Sequence, residues 1–208
     1  MPDGLDLAFL SLRAVFSPTF ALAFRLTIQG RDNVPREGAA ILAANHASFL
    51  DPILVGISAR RPVRFLVAND FYRDPRLRTA LRWLGAIPVG GYAGLIRSFR
   101  HIGEVMGRGG LLGIFPEGGI TRDGAMRPFR PGASVLALRM GVPLVPVHLG
   151  GTFEALPRHA KWPRFVPLMV RFGTPIEVAA QRNPSSEEIA GLVESLKSAV
   201  IALAAENA

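Results

Sequence analysis

The sequence predicts an α/β fold, a largely parallel central sheet flanked by helices, with a helical appendage at the N-terminus. Three observations carry this. From Gly38 onward, short apolar runs alternate with longer helical stretches, the rhythm of strand–helix units that build a parallel sheet. The run Ala39-Ala40-Ile41-Leu42-Ala43-Ala44 carries no charge, as expected of a strand covered on both faces. Two such runs stop abruptly in polar turns, at Asn45-His46 and at Pro116-Glu117-Gly118-Gly119, and the carboxyl ends of strands are where open α/β sheets place their sites.

In chain order, residues 5–28 come first and are the most apolar part of the chain, although Arg13 and Arg25 interrupt them. The longest uncharged stretch, Ala14 to Phe24, is shorter than the roughly 18 residues a spanning helix needs. Pro18 lacks an N–H and divides the segment, which predicts two short helices broken at Ser17-Pro18. Read functionally, this is a two-helix hairpin in the membrane interface, leucines and phenylalanines in lipid and arginines at headgroup level. The alternative is a helix pair packed on the main domain. A signal peptide fits poorly, because Asp3 and Asp6 stand where positive charge is expected. The expected division is a hairpin at 1–28 and an α/β domain at 29–208.

Strands are expected at 39–44, 63–68, 85–89, 111–115, 144–149 and 166–172, and helices at 52–59, 75–84, 94–108 and 131–140. A closing amphipathic helix at about 186–204 is introduced by Ser185 and Glu188 as a capping box. It carries Ile189, Leu192, Val193, Leu196, Val200 and Leu203 on one stripe and reads as a structural cover.

With 208 residues, 49% of them hydrophobic, the chain is long and apolar enough for a sizeable core. Its net charge of +8 comes almost wholly from arginine, Lys161 and Lys197 being the only lysines. Arginine suits bidentate contact with phosphate, so a phospholipid surface, a phosphorylated substrate or a nucleic acid are candidate partners, although genomic base composition produces the same bias. The absence of cysteine excludes disulfides, thiolate metal sites and a thiol nucleophile.

The chemistry concentrates at the first strand-to-helix turn. His46 and Asp51 would not share a face of one regular helix, but on the two limbs of a tight turn their side chains converge. A carboxylate on one ring nitrogen fixes the tautomer and leaves the other nitrogen to take a proton, so the pair reads as a general base with its orienter. Asp51, before Pro52, is also a candidate helix N-cap. At the second turn, glycines Gly118 and Gly119 let the backbone approach a ligand with N–H groups inward. Glu117 supplies a hydroxyl acceptor and Arg122 a phosphate binder.

Asn45-His46-x-Ser48-x-x-Asp51 and Phe115-Pro116-Glu117-Gly118, the latter followed by Arg122, stand in the order of two diagnostic blocks, and the chain thereby resembles the glycerolipid acyltransferase family, typified by 1-acylglycerol-3-phosphate acyltransferases. Phe129-Arg130-Pro131-Gly132 and Val142-Pro143-Leu144-Val145-Pro146-Val147 are similar to its remaining segments. One departure is Gly91, where family members often carry an arginine linked to acceptor phosphate, and another is the pair Gly119-Ile120 lengthening the second block.

The resemblance implies transfer of a fatty acyl group from acyl-CoA or acyl carrier protein to a lysophospholipid hydroxyl, most simply that of 1-acylglycerol-3-phosphate, giving phosphatidic acid. His46 and Asp51 would be catalytic. Glu117, Gly118, Gly119 and Arg122 would bind substrate, with Arg97 or Arg130 compensating for the missing arginine. No cofactor or metal is implied, no nucleic acid is expected, and the expected location is the cytoplasmic face of the cell membrane, peripheral or monotopic. Ser48 and Ser134 lack a nucleophile's signature, and His101, His148 and His159 read as structural. Two other classes stay open: a metal-dependent phosphoesterase using His46, Asp51 and Glu117 as ligands, and a basic module that binds lipid surfaces.

Overall fold

The computed structural model describes residues 4–205, without the side chains of residues 4–6, 8, 12, 76, 77, 83, 91–93 and 95–97. In chain order the elements are α1 (Gly4–Ala23), β1 (Thr27–Gln29), β2 (Ala40–Ala44), α2 (Asp51–Ser58), β3 (Val63–Ala68), α3 (Asn69–Arg73), α4 (Pro75–Trp83) and β4 (Ile87–Val89). They continue with α5 (Gly91–Gly107), β5 (Leu111–Ile114), α6 (Gly132–Met140), β6 (Leu144–Gly150), α7 (Thr152–Ala155), β7 (Met169–Phe172) and α8 (Ser186–Ala205). The strands form one sheet in the order β1-β7-β6-β2-β5-β3-β4. All neighbours are parallel except β6 and β7.

Side-chain alternation along β2 explains why it sits in the middle. Ala40, Leu42 and Ala44 enter one core with Leu54, Val55 and Ile57 of α2 and Phe20 of α1. Ile41 and Ala43 enter the other, with Ile102 of α5, Leu136 of α6 and Leu196 and Val200 of α8. A strand buried on both faces has no use for a polar residue, which is why the run is uninterrupted until Asn45. The α8 stripe packs as its spacing demands, and its capping box forms, Ser185 N–H donating to Glu188 Oε2 at 2.8 Å and Glu188 N–H to Ser185 Oγ at 3.2 Å.

Two expectations need correction. The N-terminal segment is not broken at Ser17-Pro18: α1 is one helix with Pro18 inside it. An interior proline costs about 3 kcal/mol. Burying a phenylalanine contributes roughly 1.5–3 kcal/mol, and Phe9, Phe16 and Phe20 lie on one side of α1, the first and last buried and the second partly so. Their sum outweighs the proline. Phe16, Phe20 and Phe24 therefore face the protein in series, the first pair tilted with centroids 6.1 Å apart and the second stacked at 5.1 Å, and Leu7, Leu10, Val15 and Leu22 are the large apolar side chains turned outward. The boundary at residue 28 also falls inside an element, because Thr27–Gln29 pairs in parallel with β7 and belongs to the sheet. Among the described residues no helix is long and apolar enough to cross a membrane.

Candidate active site

Parallel pairing of β2 and β5 sets the register Ala43↔Ile114. Continuing three residues along each strand brings His46 opposite Glu117. There the His46 N–H donates to Glu117 Oε1 at 2.8 Å, and the Thr121 N–H donates to the His46 carbonyl at 2.9 Å. The second carboxylate oxygen, Oε2, accepts from the Arg127 N–H at 2.9 Å. Glu117 is thus a clamp between the two turns, where the sequence reading made it a hydroxyl acceptor. The physical reason is burial: at 2% exposure its carboxylate must be satisfied by the donors beside it. Desolvation pushes its pKa up, against the lowering effect of the Arg127 and His46 N–H groups. On the other flank, the buried Asn45 amide donates to the Leu149 carbonyl at 3.0 Å and accepts the Leu149 N–H at 2.7 Å, tying the turn to β6.

Asp51 opens α2 but does not cap it; the N-cap position is Leu50. The carboxylate folds back over the preceding turn, and its Oδ2 accepts from the Ala47 N–H at 2.7 Å, the Ser48 N–H at 2.8 Å and His46 Nδ1 at 2.8 Å. Two backbone amides on one fully buried oxygen require an acceptor, so the ring presents its proton at Nδ1 and its lone pair at Nε2. The imidazole is clamped flat against Phe115, centroids 4.0 Å apart and planes 16° apart, and Phe115 stacks in turn on Phe65 at 5.9 Å. Gly113 makes that stack possible, since a Cβ there would lie 2.4 Å from the Phe65 ring. Ser48 is structural: its Oγ donates to the Leu156 carbonyl at 2.8 Å and accepts the Leu50 N–H at 3.1 Å.

Around the second turn the structure gathers arginines. Gly118 adopts φ 70°, and any Cβ on it would come within 2.7 Å of Arg130 Nε, so the turn and the guanidinium above it both need glycine. Its N–H is spent on the Phe115 carbonyl at 3.0 Å, contrary to the expectation that it points at a ligand, whereas the Gly119 N–H has no acceptor among the described residues. Arg122 and Arg130 are exposed, and among the described residues neither side chain has a hydrogen bond or ion pair. Arg127, overlooked in the sequence, lies beside them with Nη1 3.4 Å from the Gly119 carbonyl. Its signal was its spacing in Arg127-Pro128-Phe129-Arg130. Arg97 is on α5, and its side chain lies outside the described residues; Gly91 opens the same helix.

A cavity of about 230 Å³ is bounded by His46, Glu117, Thr121, His148 and Thr152. His148 was read as structural, yet it forms part of this wall, with Nδ1 buried and unpartnered among the described residues. Burial, and then the Arg171 charge, lower its pKa, so the folded protein favours the neutral ring. Stability attributable to this site is therefore present above the ordinary value of 6.5 and is lost as pH falls below it, when the unfolded chain binds the proton more readily. His148→Gln is expected to flatten the fall in thermal midpoint between pH 7.5 and about 5.5, measured by differential scanning fluorimetry. His101 and His159 are exposed. Among the described residues no three His, Asp or Glu side chains are grouped to hold a metal ion, and those of the phosphoesterase reading point at backbone N–H groups and at each other.

The molecule is an open, largely parallel α/β sheet with a carboxylate-oriented imidazole just beyond the carboxyl end of its middle strand, the place where sheets of this kind put their sites. A family model described as Acyltransferase matches residues 25–150, and the chain belongs to that family. A 1-acyl-sn-glycerol-3-phosphate acyltransferase of Borreliella burgdorferi is 30% identical over 154 residues, covering 70% of this chain and 60% of that protein. The chloroplastic 1-acyl-sn-glycerol-3-phosphate acyltransferase BAT2 of Brassica napus is 29% identical over 137 residues, covering 64% of this chain and 40% of that protein. The chain thus spans between 40% and 60% of the length of these two relatives. Its fold is that of the 1-acyl-sn-glycerophosphate (LPA) acyltransferase PlsC from Thermotoga maritima, with a TM-score of 0.77 at 22% identity over 96% of this chain and 81% of that one.

Proposed function

We propose that this protein transfers a fatty acyl group from an acyl thioester, carried by coenzyme A or acyl carrier protein, to the free hydroxyl of 1-acylglycerol-3-phosphate, forming phosphatidic acid at the cytoplasmic face of a membrane. The observation that carries the proposal is the His46 ring, held at Nδ1 by buried Asp51 with Nε2 left to accept a proton. Nε2 takes the hydroxyl proton as the oxygen attacks the thioester carbonyl. The C–S bond breaks as the tetrahedral intermediate collapses, and the proton passes from the imidazolium to the departing sulfur. The N–H groups of Ala47, Ser48, Gly118 and Thr121 are committed within the protein, whereas those of Glu117, Gly119 and Ile120 have no acceptor among the described residues and are the loop donors open to the oxyanion. No cofactor enters this scheme.

Arg122 is assigned to the acceptor phosphate, with Arg127 and Arg130 beside it, because exposed guanidinium groups gathered at this turn match the charge and geometry of that group. A charge-assisted hydrogen bond is worth about 1.5–3 kcal/mol, so Arg122→Ala is expected to lower efficiency toward lysophosphatidic acid by roughly 10- to 150-fold. Toward the thioester the effect is expected to be small, and Arg122→Lys should recover part of the loss. Equal losses on lysophosphatidic acid and an uncharged monoacylglycerol would reassign Arg122 to structure and, with Gly91 in the arginine's place, would favour an acceptor without a terminal phosphate.

A further inference from the structure

Six of the nine exposed large hydrophobic residues among those described fall on two segments, the outer side of α1 (Leu7, Leu10, Val15, Leu22) and the connection between α7 and β7 (Trp162, Phe165). The exposures of Leu22, Trp162 and Phe165 are 86, 82 and 67%. The two segments adjoin at the end of α1. Phe165 packs on Phe24 just beyond α1, ring centroids 5.2 Å apart, and the Leu168 N–H donates to the Phe24 carbonyl at 2.9 Å. The start of the connection is also joined to the catalytic turn, through Ser48 Oγ and the Leu156 carbonyl, and Phe49, another exposed aromatic, is the next residue.

We propose that the 156–165 connection is a second bilayer anchor, inserting Trp162 and Phe165 beside the outer face of α1 and placing Arg158, Lys161 and Arg164 against the phosphates of anionic lipids. This rests on the membrane association proposed above and says which surface performs it. Charge complementarity selects the occupant. The three cations are exposed and make no ion pair among the described residues, and no acidic residue occurs between Glu154 and Glu177. Tryptophan among lysine and arginine is the side-chain chemistry of the headgroup layer, whereas an acidic protein partner would meet the cations and leave the apolar side of α1 uncovered. Docked in this way, the His46 turn lies next to the bilayer surface, and a lysolipid acceptor can reach it without leaving the interface.

The chain has no cysteine, so Trp162→Cys and Leu22→Cys each take a single environment-sensitive fluorophore on the 208-residue chain. With phosphatidylcholine vesicles containing phosphatidylglycerol, both probes are expected to shift to the blue and to be quenched by spin-labelled lipid. Replacing Arg158, Lys161 and Arg164 together by glutamine should lower partitioning on these vesicles by roughly 100-fold, at about fivefold per cation near an anionic surface, with little change on pure phosphatidylcholine. A probe at 22 that enters lipid while the probe at 162 stays in water would overturn the loop anchor and leave membrane association standing. Two aqueous probes would overturn both. A probe at 162 that responds to acyl carrier protein but not to vesicles would assign the loop to a protein partner, and a triple variant within twofold of wild type would remove the role of charge.

Discussion

His46→Ala is expected to lose acyl transfer by roughly 100- to 10,000-fold, the usual worth of a positioned general base. The protein should remain folded at a lowered thermal midpoint, because the backbone bonds of residue 46 to Glu117 and Thr121 survive the substitution while the ring's contacts with Asp51 and Phe115 are lost. Product formation from radiolabelled acyl-CoA, beside a thermal melt, separates chemistry from folding. Asp51→Asn tests the orienter. Its side-chain oxygen can still accept from the Ala47 and Ser48 amides, but without the charge it no longer stabilises the imidazolium that forms during attack. A folded His46→Ala protein with near wild-type turnover would remove the base from the account.

Glu117→Gln is expected to lower turnover by roughly 10- to 100-fold, because displacing a catalytic group by about an ångström can cost that much. One carboxylate oxygen holds the His46 N–H and the other the Arg127 N–H, and a glutamine turns its own N–H toward one of them. A buried donor left unpaired costs about 1–3 kcal/mol, so the thermal midpoint should fall together with turnover. If Glu117 were instead a direct contact of the acceptor, the Michaelis constant for the acceptor would rise while stability stayed constant. Parallel measurement of both quantities decides between clamp and contact.

What could be read from the sequence follows from how local each interaction is. His46 and Asp51 are five residues apart, and their pairing needs only a strand-to-helix turn, which the apolar run and Pro52 announce. The strands from β2 to β6 were visible because each is a short, mostly apolar run, interrupted only by Arg64 in β3 and His148 in β6, and α8 because its stripe and cap agree. The clamp by Glu117 was not visible, since its partners are 71 residues before it and 10 after it and depend on the register between β2 and β5. Short elements such as β1, α3 and α7 carry too few residues to show a period. Pro18 misled because its local cost is plain in sequence, while the phenylalanine packing that exceeds it is tertiary. Trp162 and Phe165 stand in an aperiodic connection, and only the fold sets them beside α1.

The central claim is that a thioester is cleaved by an acceptor hydroxyl activated at His46. It is tested most directly by free-thiol release from acyl-CoA by the purified protein, with and without lysophosphatidic acid, in parallel with His46→Ala. The account predicts thiol release that requires the acceptor, matches phosphatidic acid formed mole for mole, and is lost in the variant. Release that proceeds equally without acceptor, or no release with either thioester carrier across a panel of lysolipids, would contradict it.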